Sequence, residues 1–328
     1  MVSVIIVNYN GINILARCLE ALQRQNFGDF EIIVVDNASQ DGSVQWLALH
    51  HPEVKVIALE VNTGFTGGNN VGYRVASGKF IAMLNNDTEV SECWLGELVA
   101  AMEGDPRIGI CSSRIVVSGT DIIDSVGGGF TTAGSGFKRG EGESQQHYLS
   151  SCQVDGACAA AALYRRTMIE EIGFLDGDFF LNHEDTDLDF RAFLAGWKSV
   201  YVPTAIVQHD VSATLGTMSE LTVYYFSRNS ILVWVKNMPL TLMLRFFHHR
   251  LFYELATFVY YCVLGRRWKA YLTGKLDAVR LLPTMLQKRR VIQRNRRISN
   301  NCLRKMLLPF PSYFSKRVSM QFFRRDMS

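Results

Sequence analysis

Along the first 110 residues, β-branched apolar runs alternate with stretches whose apolar positions recur at helical spacing. The pattern predicts strands over 2–7, 31–36, 54–59 and 80–85, with helices over about 12–25, 43–50 and 69–77 between them. Such alternation implies right-handed crossovers and a mostly parallel central sheet with helices on both faces. Residues 118–150 break the rhythm with Gly127-Gly128-Gly129, Gly134, Gly136, Gly140 and Gly142 among polar positions. That composition predicts a mobile loop, in the manner of a lid. Order returns with an Ala-rich run after 154, a helix over 166–172, an acidic helix over 184–195 and the strand SVYVP. Beyond Tyr225 the chain turns helical, aromatic and basic, and it contains no internal repeat.

Short polar clusters close the apolar runs: Tyr9-Asn10, Asp36, Asn85-Asn86-Asp87 and, after YVPTAIVQ, His209. In a parallel sheet the carboxyl ends of the strands gather at one edge, where open α/β sheets bind ligands. Asn85-Asn86-Asp87 suits either a polar turn capping the next helix or a carboxylate holding Mg2+ or Mn2+ against a diphosphate. Asp36 stands where a carboxylate accepts from a nucleobase or a ribose, while Asn37, Ser39 and Asp41 behind it suit a turn and a helix cap. His209 is either a structural histidine or, at the same edge as Asp87, a second metal ligand. His183-Glu184-Asp185-Thr186-Asp187-Leu188-Asp189 packs four carboxylates into six residues, which raises their proton affinity. This crowding serves a general base and also occurs at a solvated helix start.

Several nucleotide-site readings are excluded. NTGFTGGNNVGYRVASGK is rich in Gly and Asn ahead of a helix and could let backbone amides approach an anion, but it is not GxGxxG. Nor is it a phosphate loop, because Gly72 to Gly78-Lys79 has one residue too many and Phe80 replaces the required Ser or Thr. The acidic stretch lacks the spacing of an EF-hand.

With 328 residues and 48% apolar content, the chain can bury a large core. The net charge of +3 conceals two opposite halves: residues 1–235 carry −14 and residues 236–328 carry +17. The acidic half excludes a nucleic-acid surface there. Seven scattered cysteines without a CxxC pair suit reduced thiols of a cytoplasmic protein. The N-terminus has no signal-peptide pattern, and charges interrupt the apolar region from Pro239 to Gly265, so no membrane-spanning helix is expected.

In their order, VSVIIVNYNG, EIIVVDNASQDGS, NTGFTGGNNVGY, FIAMLNNDTEV, VDGACAAAALYRR and FLNHEDTDLDFRAFLAGWKSVYVPTAIVQH, followed by Tyr225 and Arg228-Asn229, resemble the family 2 glycosyltransferases of the GT-A fold. The resemblance is to their bacterial rhamnosyltransferase-like branch. It implies a catalytic domain over 1–235 and a helical basic and aromatic extension over 236–328. It also implies an inverting, metal-dependent transfer from a nucleotide-sugar donor, dTDP-rhamnose for this branch, to a lipid-linked saccharide acceptor in surface polysaccharide assembly. Carried over residue by residue, Asp185 is the catalytic base, and Asp87 and His209 hold Mg2+ or Mn2+. Asn8, Tyr9, Asn10, Asp36, Asn62, Gly64, Asn69, Asn85 and Asn86 bind the donor. Asn85 stands where many relatives carry aspartate, which removes one carboxylate from the metal site. The processive-synthase signature QxxRW is absent, so the resemblance implies addition of one or few sugars. The alternatives are a UDP-hexose donor and a catalytically silent nucleotide-sugar-binding scaffold.

The tail interleaves aromatics from Phe246 to Phe323 with Lys/Arg clusters at 266–269, 288–297 and 316–325. Aromatics at the headgroup level and basic residues against anionic lipid predict peripheral attachment to the inner face of the cell membrane. The competing reading is an ordinary helical subdomain whose aromatics form core or an oligomer interface.

Overall fold

The computed structural model describes residues 1–210 and 218–325, with side chains of the last helix described through Arg317. The tail residues Phe322, Phe323, Arg324 and Arg325 have side chains outside the described residues. Two compact units emerge. The first comprises Met1–Gly128, Lys138–Phe193 and Trp197–Thr214, the second Gly129–Phe137, Leu194–Gly196 and Leu215–Ser328.

In the first unit, β1 (Val2–Asn8), α1 (Ile12–Gln23), β2 (Phe30–Asp36), α2 (Ser43–His50), β3 (Lys55–Ala58), α3 (Gly64–Val75) and β4 (Phe80–Asn85) follow the expected alternation. Then come β5 (Thr88–Val90), α4 (Trp94–Gly104), β6 (Ile108–Val117) and β7 (Ile123–Ser125). A small hairpin, which over Gly129–Phe137 belongs to the second unit, pairs β8 (Gly128–Phe130) with β9 (Gly136–Lys138). After it lie β10 (Cys152–Val154), β11 (Ala161–Arg165), α5 (Arg166–Ile172), α6 (Glu184–Leu194) and β12 (Lys198–His209). The sheet runs β10-β12-β6-β11-β4-β1-β2-β3, with β5 and β7 pairing β12 and β6. β3, β2, β1 and β4 are parallel, as are β6 and β12, while β11 runs antiparallel between β4 and β6.

Alternation within the strands builds a core on each face. Val2, Val4 and Ile6 of β1 join Leu15, Leu19 and Leu22 of α1 and Trp94 and Leu98 of α4. Ile5 points the other way, with Ile81 and Met83 of β4, toward Met168 of α5 and Leu188 of α6. Each fully buried side chain of this size contributes about 1.5–3 kcal/mol.

Two expectations need correction. α3 begins at Gly64 rather than near 69, because Asn62 Oδ1 accepts the Gly64 N–H at 2.8 Å and Asn37 Oδ1 accepts that of Thr63 at 3.0 Å. Two glycines let this helix approach the sheet: a Cβ at Gly68 would lie 2.7 Å from Val7, and one at Gly72 2.5 Å from Ile5. Residues 118–150 are packed rather than a slack loop, with Val126, Phe130 and Ala133 buried. Gly134 and Gly140 both adopt φ of +74°, so the glycines there mark tight turns.

The second unit holds α7 (Glu220–Asn237), α8 (Leu240–Arg245), α9 (Phe247–Phe258), a π-helical turn (Val259–Leu264), α10 (Trp268–Asn295), α11 (Asn300–Met306) and α12 (Phe310–Arg325). The Ser227 hydroxyl donates to Tyr271 O at 3.1 Å, and Gly274 leaves room for Ser227 where α10 crosses α7. Phe310 stacks edge-on against Phe252 and Tyr253. No described helix is long and apolar enough to cross a membrane.

Candidate active site

The parallel register places Asn8 beside Asp36 and Val7 beside Asn85, so the polar ends of β1, β2 and β4 form one row. Asn8 joins them: its Nδ2 donates to Asp36 Oδ2 at 3.1 Å, and its Oδ1 accepts from Asn86 Nδ2 at 2.9 Å. Asp36 is buried and also accepts the Ser39 N–H at 2.8 Å. Asn10, at φ 49°, accepts from Gln40 N, while Tyr9 beside it is exposed. Asn37 Nδ2 reaches Gly64 O at 2.9 Å and ties the 62–64 turn to this row. Asn69 lies apart from these contacts, inside α3, donating to Phe65 O.

β5 carries Asp87 to His209, because Thr88 pairs with His209 across the β5–β12 ladder. Asp87 Oδ1 is buried without a hydrogen bond and lies 3.3 Å from His209 Nε2. The other ring nitrogen, Nδ1, lies 3.0 Å from Asp124 Oδ2, and Lys138 Nζ holds Asp124 at 2.7 and 2.9 Å. Burial alone would lower the proton affinity of His209, but Asp124 and Asp87 outweigh it and raise the pKa to about 9. Asp124, despite burial, is drawn down to about 2 by His209 and Lys138. Neither Asp124 nor Lys138 was found by sequence reasoning, since both fall in the glycine-rich stretch that lacks periodicity.

α6 is turned into place by two consecutive left-handed residues, Asn182 at φ 64° and His183 at φ 68°. Such conformations are uncommon outside glycine and concentrate at functional sites. Arg191 anchors the helix, pairing with buried Asp187 at 2.8 Å and donating to the carbonyls of Ile172, Gly173 and Phe174. The four carboxylates therefore differ. Glu184 is buried, and its pKa is raised by that burial and by Asp185. Asp189 accepts the Ala157 N–H at 2.9 Å and is raised well above the ordinary range by burial and Asp185. Asp185 is half-buried; burial raises it, while N–H groups of Thr186 and Ala159 and the charge of Lys138 oppose that rise. Lys138 thus acts on both Asp124 and Asp185, which puts the Asp87–His209 pair and Asp185 in one neighbourhood.

The Asp87–His209 pair offers a carboxylate oxygen and an imidazole nitrogen 3.3 Å apart, the ring's other nitrogen held by a carboxylate, and a divalent cation there would take the place of the proton that Asp87 and Asp124 favour on the ring. Among the described residues no group of three or more His, Cys, Asp or Glu is arranged to hold a metal. The chain offers two donors for such an ion, an oxygen of Asp87 and a nitrogen of His209.

Residues 3–173 match the family model of Glycosyl transferase family 2. A protein of Sinorhizobium fredii, "Uncharacterized protein y4gI", is 28% identical over 231 residues, 66% of this chain but only 25% of that protein's length. An N-acetylglucosaminyl-diphospho-decaprenol L-rhamnosyltransferase of Mycobacterium tuberculosis is 26% identical over 247 residues, 65% of this chain and 77% of that one. The crystal structure of GalNAc-T7 with UDP, GalNAc and Mn2+ superposes with a TM-score of 0.58 at 18% identity, covering 72% of this chain and 48% of the other. The likeness shows the GT-A-like α/β fold.

Proposed function

Because the chain belongs to glycosyl transferase family 2, we propose that it is an inverting glycosyltransferase that moves a sugar from a nucleotide-sugar to a saccharide hydroxyl. The observation that carries this reading is the convergence of the Asp87–His209 pair and Asp185 around Lys138. The row of Asn8, Tyr9, Asn10, Asp36 and Asn86, with the 62–64 turn and Asn85, is assigned to the donor's nucleoside side. When bound, Mg2+ or Mn2+ supplies positive charge that neutralises the departing diphosphate. Asp87 and His209 would hold it, and Asp124 would fix the ring of His209. Asp185 takes the proton of the acceptor hydroxyl as that oxygen forms its bond to the anomeric carbon. The bond from that carbon to the diphosphate oxygen breaks, and the nucleoside diphosphate leaves from the opposite side. Lys138 favours the ionised Asp185 that this step requires.

The donor is assigned as dTDP-rhamnose and the acceptor as lipid-linked, in surface polysaccharide assembly. Support comes from the rhamnosyltransferase-like motifs and the mycobacterial relative. The test is saturation-transfer NMR with a panel of nucleotide-sugars, with and without Mn2+, joined to a transfer assay of Asp185→Asn. Metal-strengthened binding of dTDP-rhamnose is expected, and the variant should keep donor binding while losing ~10²–10⁴-fold in turnover. Unchanged turnover removes Asp185 from its role, preference for a UDP-sugar overturns the donor, and binding of no nucleotide-sugar favours the scaffold.

A further inference from the structure

The second unit carries an apolar surface that its own packing leaves exposed. α9 and α10 form an antiparallel hairpin: Lys275 meets Glu254 at 2.6 Å and the Tyr271 hydroxyl meets Thr257 Oγ1 at 3.0 Å, so residue numbers run in opposite senses across the seam. Behind this seam Arg250, Tyr253, Gly274 and Ala278 are buried. At about 100° of turn per residue, Leu251, Leu255 and Phe258 fall within roughly 60° of one another on α9, and Trp268, Leu272 and Leu276 within roughly 80° on α10. Leu255 follows Glu254, and Leu276 follows Lys275. Equal rotations away from the seam of an antiparallel pair bring both stripes to the same side. All six side chains are exposed, Leu255 by 61% and Leu276 by 62%.

The charge around this face is mostly basic, with Glu220 beside Arg267 at 3.9 Å as an opposing carboxylate. Arg266, Arg267 and Lys269 cluster at the hairpin turn, and Arg290 and Arg294 continue the line of the α10 stripe. Glu254 and Asp277 are the carboxylates between 236 and 317; Glu254 is taken by Arg250 and Lys275, and Asp277 by Arg280 and Tyr224. An exposed apolar face of this extent marks an interaction site, and basic ends with aromatics at the rim match the headgroup region of an anionic bilayer. Helices unable to span a membrane meet it in the plane of the interface.

We propose that the α9–α10 face is a membrane-docking surface that lies in the interface of an anionic bilayer, its apolar stripes toward the acyl chains and its basic ends on lipid phosphates. This goes beyond the transfer reading and can fail separately from it, because vesicle binding and transfer to a soluble acceptor are separate measurements. The test is co-sedimentation of the full chain with phosphatidylcholine vesicles, with and without phosphatidylglycerol, at low and high salt. Binding to the anionic vesicles is expected, weakened by salt. Leu255→Glu with Leu276→Glu should lower it at least about tenfold, whereas Leu49→Glu, a change at an exposed leucine of the first unit, should leave it unchanged. Arg290→Gln with Arg294→Gln leaves the apolar stripe intact and should flatten the salt dependence. Failure of the wild-type chain to bind at low salt overturns the proposal, as does full binding by both double variants. A dimer that Leu255→Glu with Leu276→Glu dissociates, in a chain that ignores vesicles, assigns the face to a second copy and also overturns it.

Discussion

Gly156→Ala tests whether the middle of α6 and the turn before β11 are one packed device. A Cβ at Gly156 would lie 2.6 Å from the Cβ of Asp189 and closer still to its carboxyl group. Asp189 cannot swing aside freely, because it accepts the Ala157 N–H and sits on a helix pinned by Arg191. Overpacking a filled site costs about 1–3 kcal/mol, and losing the Ala157 bond inside the protein adds about 1–2 kcal/mol. Together the two terms come to about 3 kcal/mol. For a unit of this size that corresponds to roughly 6–12 °C in melting temperature. Turnover should fall as well, since the Ala159 N–H supports Asp185 and a 1 Å misplacement costs about 100-fold. The decisive assay is a double-mutant cycle by thermal unfolding with Asp189→Ala, which removes the obstructing group. The double variant should recover about 1–3 kcal/mol relative to the sum of the single changes. A Gly156→Ala protein melting with the wild type, or additive effects in the cycle, would refute the reasoning.

Asp155 supplies a pH prediction: burial lifts its pKa to about 6, against the pull of Arg139. The folded state then binds more protons than the unfolded one between the ordinary aspartate value and 6, so stability is lost as pH rises through that window, by up to about 3 kcal/mol. Asp155→Asn should flatten this slope and raise stability at pH 8, as read by urea unfolding across pH. Arg191→Ala should cost about 3–5 kcal/mol by removing the buried guanidinium from Asp187 and from three carbonyls, and Arg191→Lys should rescue it incompletely because an ammonium cannot replace the guanidinium fork on those carbonyls. Equal stability of Arg191→Lys and the wild type in urea would contradict that account.

The parts of this fold that could be read from the chain are those written in local periodicity. Val2, Val4 and Ile6 against Ile5 announce a strand buried on both faces, and each run ends on the polar residue that the sheet carries to its edge. The parts that could not be read are set by distant pairing. Lys138 reaches Asp124 because the 118–150 stretch folds back through β7 onto β6, and nothing periodic in its glycines signals that return. Gly68 stands ahead of the helix expected over 69–77 yet belongs to it, because Val7 needs the space a side chain would fill. The acidic run shows most clearly where local reading stops. Four carboxylates in six residues are indistinguishable by spacing; their surroundings separate them. Asp187 neutralises Arg191, Asp189 holds Ala157, and Glu184 is buried where the charged form is disfavoured. Asp185 alone of the four keeps part of its surface open, and the charge of Lys138 opposes the rise that burial imposes on it. Accessibility together with a nearby cation, rather than acidity as such, is the physical reason for assigning the proton transfer to that residue.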